Sequence, residues 1–236
     1  MIVPALNEQE SIAEVVTSVR QFGYQVLVID DGSSDQTYFE ARTAGAHVLE
    51  LSMNLGVGGA LQCGFNYAVR NNFEAVIQLD ADGQHPIHVI PQLIDSANFS
   101  NADIVLGSRF LHSSTGMEIS KSRRMAMWIL RIFASRACKT KISDSSSGFR
   151  LIRNPLLAQF AKSFPSHFLG DTFEALVISG RKNYKVIEIP AQFKNREFGE
   201  SSATSWTSVL LIFRALVVTS FGLHFQLPEK AQSRAD

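Results

Sequence analysis

Short apolar runs rich in β-branched residues alternate with longer helical stretches through the first half of the chain, and this alternation limits the fold more than any other feature. The runs are MIVP, YQVLVIDD, AHVLELS, EAVIQLD and ADIVLGS. Between them, residues 8–22, 34–44, 57–71 and 86–97 carry helical patterning. Strands alternating with helices of about ten to fifteen residues build βαβ units and a mainly parallel sheet. Strands that are apolar nearly throughout predict a sheet covered on both faces. The expectation is an α/β fold of Rossmann-like type, a mainly parallel central sheet flanked by helices.

After Arg109 the rhythm breaks. A Ser/Thr-bearing loop over 112–122 leads into a helix, RRMAMWILRIFASRACK. A Ser-rich turn, SDSSSGFRLI, follows, then short helices near 155–162 and 171–181, a strand YKVIEIP and the loop KNREFGESSAT. No internal repeat and no linker divides the chain, so residues 1–202 are expected to form one domain. Residues 203–236 add an apolar helix and tail, either part of that domain or a membrane-interface element. The run SWTSVLLIFRALVVTSFGLHF approaches a bilayer's span, but Arg214 sits near its middle and serines and threonines dilute it. Two readings stand: a helix lying on a membrane or partner, or a C-terminal helix packed on the core.

Lysine plus arginine equals aspartate plus glutamate at 22 each in 236 residues, so net charge directs nothing to nucleic acid. Cys63 and Cys138 fit no metal spacing and are read as reduced intracellular thiols. No basic leader with an apolar run opens the chain, which argues against secretion. MIVP is short for a strand, as if the first strand were clipped.

Chemistry-bearing residues gather where these strands end. VIQLDADGQHP runs from strand into Asp80 and Asp82, and Gly83 and Pro86 stop the strand there. Two carboxylates one residue apart repel unless a cation lies between them. Read alone, the pair is equally a solvated turn capping the next helix. VPALNEQESI sets Pro4, Asn7 and Glu8 after the first strand, where Asn7 also suits a helix N-cap with Glu10 as its partner. VIDDGSSDQT sets Asp30 and Asp31 after the second, suited to a ribose or base N–H, or to a turn capped by Ser33 or Ser34. NLGVGGALQCGF departs from the G-x-G-x-x-G spacing and follows the third strand, which excludes a Rossmann dehydrogenase. Its glycines let a helix pack tightly or a nucleotide approach the backbone. Independent turns rarely coincide at successive strand ends, where one crevice collects them. The acidic pair then suits a divalent cation bridging a nucleotide's phosphates.

VPALNEQESI, VIDDGSSDQT, NLGVGGALQCGF, LDADGQHP, GSRF and DSSSGFRL stand in the order found in family 2 glycosyltransferases of the GT-A fold. From residue 2 to about 202 the chain resembles them, and most of all the polyprenyl-phosphate glycosyltransferases, which include dolichol-phosphate mannose synthases. The resemblance speaks to fold and nucleotide-sugar chemistry, and it does not name the sugar. It implies that Pro4, Ala5, Asn7 and Glu8 line the nucleotide pocket with Asp30, Asp31, Gly59 and Ala81. Asp80 and Asp82 are the D-x-D pair holding Mg²⁺ or Mn²⁺, with Gln84 beside the metal. Arg109 approaches donor or acceptor phosphates, and Arg123 or Arg124 matches an acceptor loop. Arg196 belongs to an R-x-x-G-x-S loop that closes over the diphosphate. Asp171 or Glu174 supplies a base where the acceptor is a hydroxyl. Asp144 and Asp171 equally suit helix caps, and His85 is read as structural.

The implied reaction is inverting transfer from a nucleotide-diphosphate sugar to a lipid phosphate, in cell-envelope glycan synthesis. Alternatives are transfer to a saccharide or protein hydroxyl, and an inactive nucleotide-sugar-binding subunit. The implied partners are the nucleotide sugar, the lipid-phosphate acceptor, and a membrane surface or small membrane protein; a homo-oligomer is admitted. The implied setting is peripheral, at the cytoplasmic face of the membrane.

Overall fold

The computed structural model describes residues 1–111, 121–165 and 170–194. Seven strands form one sheet in the order β3-β2-β1-β4-β6-β5-β7. These are β1 (Ile2–Ala5), β2 (Leu27–Asp30), β3 (His47–Glu50), β4 (Ala75–Gln78), β5 (Ile104–Ser108), β6 (Arg150–Arg153) and β7 (Val186–Pro190). The helices are α1 (Ile12–Gln21), α2 (Thr37–Thr43), α3 (Gly56–Arg70), α4 (Ile90–Ser100), α5 (Lys121–Cys138), α6 (Leu156–Lys162) and α7 (Ala175–Arg181). A 3-10 turn, Ile87–Val89, precedes α4, and a π-helical turn, Gly170–Glu174, precedes α7.

The strand period of two assigns side chains to opposite faces. Ile2, Leu27, Ile29, Val76, Ile104, Leu106 and Ile152 pack on one face with Phe65 of α3, Leu130 of α5 and Phe160 of α6. Their immediate neighbours Val3, Val28, Ile77, Val105 and Leu151 pack on the other with Val16 of α1 and Leu93 of α4. The double covering expected from the apolar runs is present.

One strand departs from expectation. The Ser-rich turn runs into β6, which lies antiparallel between β4 and β5, pairing Val76 with Ile152 and Val105 with Leu151. Its four residues, RLIR, carry arginine at both ends, so apolar patterning conceals a fully central strand. The strand order reverses between β1 and β4, and open α/β sheets bind ligands at the carboxyl ends beside such a reversal. Arg196, residues 112–120 and the tail over 203–236 lie outside the described residues.

Candidate active site

The loop after β4 forms the centre. Gly83 takes a φ of 74°, which glycine adopts without strain, and turns the chain so that Gln84 N donates to Asp82 Oδ1 at 3.1 Å. Ala81 is buried, Asp82 and Gln84 are half-buried, and Lys194 N donates to Gln84 O at 2.9 Å.

Asp80 is held from behind by His85. The Asp80 N–H donates to His85 Nδ1 at 3.0 Å, and His85 Nε2 lies 3.2 Å from Asp80 Oδ2. An Nδ1 that accepts leaves the ring proton on Nε2, facing the carboxylate. The imidazole is buried, stacked on Phe149 at 5.1 Å and edge-on to Phe193 at 4.8 Å. Asp80 nevertheless keeps 45% of its side chain open. Desolvation by the strand ends opposes its ionisation, but His85, Arg150 and Arg109 outweigh this and hold its carboxyl below the usual range.

Gly148 provides the room for that carboxylate. A Cβ there would lie 2.7 Å from Asp80 Oδ1 and 3.0 Å from Oδ2. Asp80 and Asp82 thus present hard oxygen donors at one loop, suited to Mg²⁺ or Mn²⁺ rather than a thiolate-seeking metal. Among the described residues no third His, Cys, Asp or Glu joins them in a metal-holding group. The pair therefore fits a cation that completes its shell with phosphate oxygens and water, as Mg²⁺ commonly does.

Arg109 faces this pair from the end of β5. Its Nε and Nη2 donate to Asp144 Oδ2 and Oδ1 at 2.7 and 2.9 Å, and its backbone N–H donates to Oδ2 at 3.2 Å. Asp144 is therefore no helix cap but the buried bidentate partner of Arg109. Glu188 of β7 fixes Asp144 in turn, accepting from the backbone N–H groups of Ser143 and Asp144 at 2.8 and 2.9 Å. The guanidinium also lies over the rings of Phe110 and Phe193 at 5.5 and 5.3 Å. Burial works against its charge, yet Asp144 prevails, with Asp80 and Asp82 assisting, and its pKa is raised.

The loops after β1 and β2 are tied to each other. Asn7 stands at φ 55°, and its Oδ1 accepts from Ser34 N and Oγ at 2.8 and 3.2 Å. Its own N–H donates to Ser33 Oγ at 2.9 Å, and Glu8 N donates to Thr37 Oγ1 at 2.8 Å. Asn7 is thus not an N-cap; Ser11 holds that place for α1, without a side-chain cap bond. Ser33 and Ser34 serve this inter-loop tie, and Gln36 stands at the N-cap of α2. Asp30 and Asp31 are both buried, accepting from Ser33 N at 3.0 Å and Leu55 N at 2.7 Å. Pro4 and Ala5 end β1, and Gly59 lies in the first turn of α3, where its missing Cβ avoids Leu55.

Beneath the acidic pair lies Arg150, fully buried, donating to Asp171 O at 3.0 Å and Ser147 O at 2.5 Å. Asp171 is buried inside the π-helical turn, not ahead of it as a cap. Desolvation pushes its carboxyl up to about 6; Arg150 opposes the rise, while Asp80 and Glu174 add to it. Glu174, also buried, closes the same turn. Arg123 and Arg124 open α5, and Arg124 is exposed and apart from these contacts. The apolar hollow lined by Met1, Leu27, His47, Tyr67, Phe73 and Val76 lies at the opposite, amino-terminal edge of the sheet.

Asp80 and Asp82, to which patterning points, and Arg109, which the resemblance implies, lie close enough to one another to interact. Patterning assigns nothing to Gly148, Arg150 or Glu188, and it reads Asp144 as a helix cap where the structure makes it the partner of Arg109. His85 is structural, as read, and braces Asp80. The DSSSGFRL run carried the available signal, a glycine and an arginine immediately after a serine cluster.

Residues 1–160 match the family model described as Glycosyl transferase family 2. The chain is 29% identical over 231 residues to the undecaprenyl-phosphate mannosyltransferase of Micrococcus luteus, covering 94% of this chain and 93% of that one. It is 27% identical over 213 residues to the polyprenol monophosphomannose synthase of Mycolicibacterium smegmatis, covering 85% and 79%. Among solved structures, glucosyl-3-phosphoglycerate synthase from Mycobacterium tuberculosis with Mn²⁺, UDP-glucose and phosphoglyceric acid aligns at a TM-score of 0.66 and 18% identity, covering 94% and 77%. That last likeness is one of fold.

Proposed function

We propose a function from one premise: the chain belongs to glycosyl transferase family 2. It transfers a sugar from a nucleoside-diphosphate sugar to a polyprenyl phosphate, inverting the anomeric carbon. The observation that carries this reading is the acidic pair Asp80 and Asp82 opposed by Arg109, whose guanidinium is fixed on buried Asp144. Cleaving a sugar–diphosphate bond develops negative charge on the leaving oxygens, and preorganised positive charge lowers that barrier. Asp80 and Asp82 would hold a Mg²⁺ or Mn²⁺ ion, which would supply part of that charge; the solved neighbour's complex with Mn²⁺ and UDP-glucose supports this reading. Arg109 adds a second cation that needs no reorganisation. Pro4, Ala5, Asn7, Glu8, Asp30, Asp31 and Gly59 serve the nucleotide, and Ala81 and Gln84 shape the cation loop. Arg196 and the pair Arg123 and Arg124 serve the diphosphate and the acceptor phosphate.

The bond from the anomeric carbon to the diphosphate breaks, and its electrons leave with the nucleoside diphosphate. An acceptor oxygen forms the new bond from the opposite side. A phosphate acceptor is already anionic near neutral pH and needs no general base. The near full-length match to a chain named for undecaprenyl phosphate supports that acceptor. Such an acceptor places the protein at the cytoplasmic face of a membrane as a peripheral enzyme. No helix among the described residues is long and apolar enough to cross one.

Asp171 favours a second reading. A buried carboxyl raised to about 6 suits a general base, which a hydroxyl acceptor needs. Competing a polyprenyl phosphate against sugar hydroxyls, with a panel of nucleotide sugars and Mg²⁺, separates the two. The proposal expects transfer to the phosphate, with Asp171→Asn costing far less than the ~10²–10⁴-fold typical of a lost base. Transfer to a hydroxyl, with a loss of that size in a folded variant, moves the assignment to the second reading.

A further inference from the structure

Glu188 is out of place by the pattern of its own strand. Val186 of β7 packs on the sheet face that carries Leu130 of α5 and Leu176 of α7. A period of two returns that face at residue 188, and the register partner on β5, Leu106, is buried there. An apolar side chain is expected at this place, and the strand supplies a carboxylate. Both of its oxygens are engaged. Oε2 accepts from Ser143 N at 2.8 Å and from Ser143 Oγ at 2.7 Å, and Oε1 accepts from Asp144 N at 2.9 Å. With the Ser143 proton given to Glu188, Ser108 Oγ donates to Ser143 Oγ at 2.7 Å and accepts from Phe110 N at 3.3 Å. Both neighbours of Arg109 in the chain are thus tied to the same carboxylate. Asp144 and Ser146 take up Nε and Nη2 of Arg109, while its Nη1 makes no hydrogen bond among the described residues. One edge of the guanidinium is left to a ligand.

We propose that Glu188 is a positioning residue for sugar transfer. Through Ser143 and Asp144 it fixes the tilt of Arg109, so that the free guanidinium edge meets the charge developing on the leaving diphosphate. The proposal rests on the reading of Arg109 given above and assigns the relay behind it. Charge that appears only in the transition state is best met by a donor already in place. Loosening such a donor lowers kcat and leaves KM nearly unchanged. A carboxylate kept only for the fold has a different signature: its loss lowers stability, and any effect on transfer is the same with or without Arg109.

The test is a double-mutant cycle in the full chain with Mg²⁺, using the nucleotide sugar and acceptor that the native chain prefers. Glu188→Gln keeps the side chain's shape and turns one acceptor oxygen into a donor. It is expected to lower kcat at least about tenfold, with KM for the nucleotide sugar changed less than about threefold. In an Arg109→Gln background the same substitution is expected to change kcat less than about twofold, because the relay then has nothing to hold. An equal loss in both backgrounds, or a native kcat in Glu188→Gln, would overturn the proposal. Should Glu188→Gln not fold, Ser143→Ala replaces it, since it removes only the hydroxyl contacts. A loss of about 2–10-fold in kcat, confined to chains that keep Arg109, is then expected, and an undiminished kcat would overturn the relay. Calorimetry with a panel of nucleoside diphosphates and Mg²⁺ is run on the same four chains. Glu188→Gln is expected to weaken that binding at least about threefold only where Arg109 is present, and equal affinities in the two Arg109 chains would count against the relay. If the native chain glycosylates no acceptor offered, the transferase reading fails, and the calorimetric cycle still decides the role of Glu188.

Discussion

At Gly148 the missing side chain leaves space that the Asp80 carboxylate occupies. Gly148→Ala sets a methyl within 2.7 Å of Oδ1, and the tip of a flexible side chain yields before the backbone does. The variant is therefore expected to melt near the native temperature yet bind Mn²⁺ roughly 10–100-fold more weakly, as changes to groups bordering a metal ligand do. Calorimetric titration with Mn²⁺ reads this, and native affinity would refute the cradle. Asp171 gives a second expectation at this scale. Its carboxyl is raised from 3.8 to about 6, so the folded state holds the proton more tightly than the unfolded chain. That contribution is complete below the unfolded value and is lost as pH rises through about 6. Asp171→Asn cannot ionise, so it is expected to stabilise the fold by on the order of 1–3 kcal/mol at about pH 7.5 and by little at about pH 3. Urea denaturation at the two pH values measures this, and an equal effect at both would show that burial does not set the shift.

Among elements, the contact of α5 with α7 is the least forgiving. A Cβ at Gly180 meets backbone atoms of Ala137 and Cys138 at 2.6 Å, whereas one at Gly64 meets only the side-chain ends of Ile2 and Ile29 at 2.8 and 2.9 Å. Backbone cannot rotate aside. Gly180→Ala is expected to cost about 1–3 kcal/mol or more, and Gly64→Ala less, in paired denaturation curves; the reverse order would contradict this packing. The same contrast explains what could be read from the chain. Alternating strands and helices around Val3, Val28 and Ile77 were legible because each pattern is local. The strand β6 was not, because RLIR looks polar until β4 and β5 enclose it. Asp80 and Asp82 announce themselves one residue apart. Gly148, Arg150 and Asp144 join them only when an antiparallel strand returns beside β4, and no local spacing encodes that return. His85 is near in sequence, but its role lies in a ring seated between Phe149 and Phe193.

At the scale of the whole molecule, the reversal of strand order between β1 and β4 gathers the site. The β1 and β2 loops are joined through Asn7 and Ser34 on one side, and Arg109 on Asp144 closes the other. Between them the D-x-D pair stands open, backed by His85 and with room left by Gly148. The central claim is that this pair works through a divalent cation in sugar transfer. The most direct measurement is transfer from the preferred nucleotide sugar to a polyprenyl phosphate, for the native chain and Asp82→Asn, with Mg²⁺ or Mn²⁺ and with excess EDTA. Transfer that requires the metal, is abolished by EDTA, returns when metal is restored and is lost in a folded Asp82→Asn is the expected result. Undiminished transfer in EDTA, or native rates in Asp82→Asn, would contradict the account.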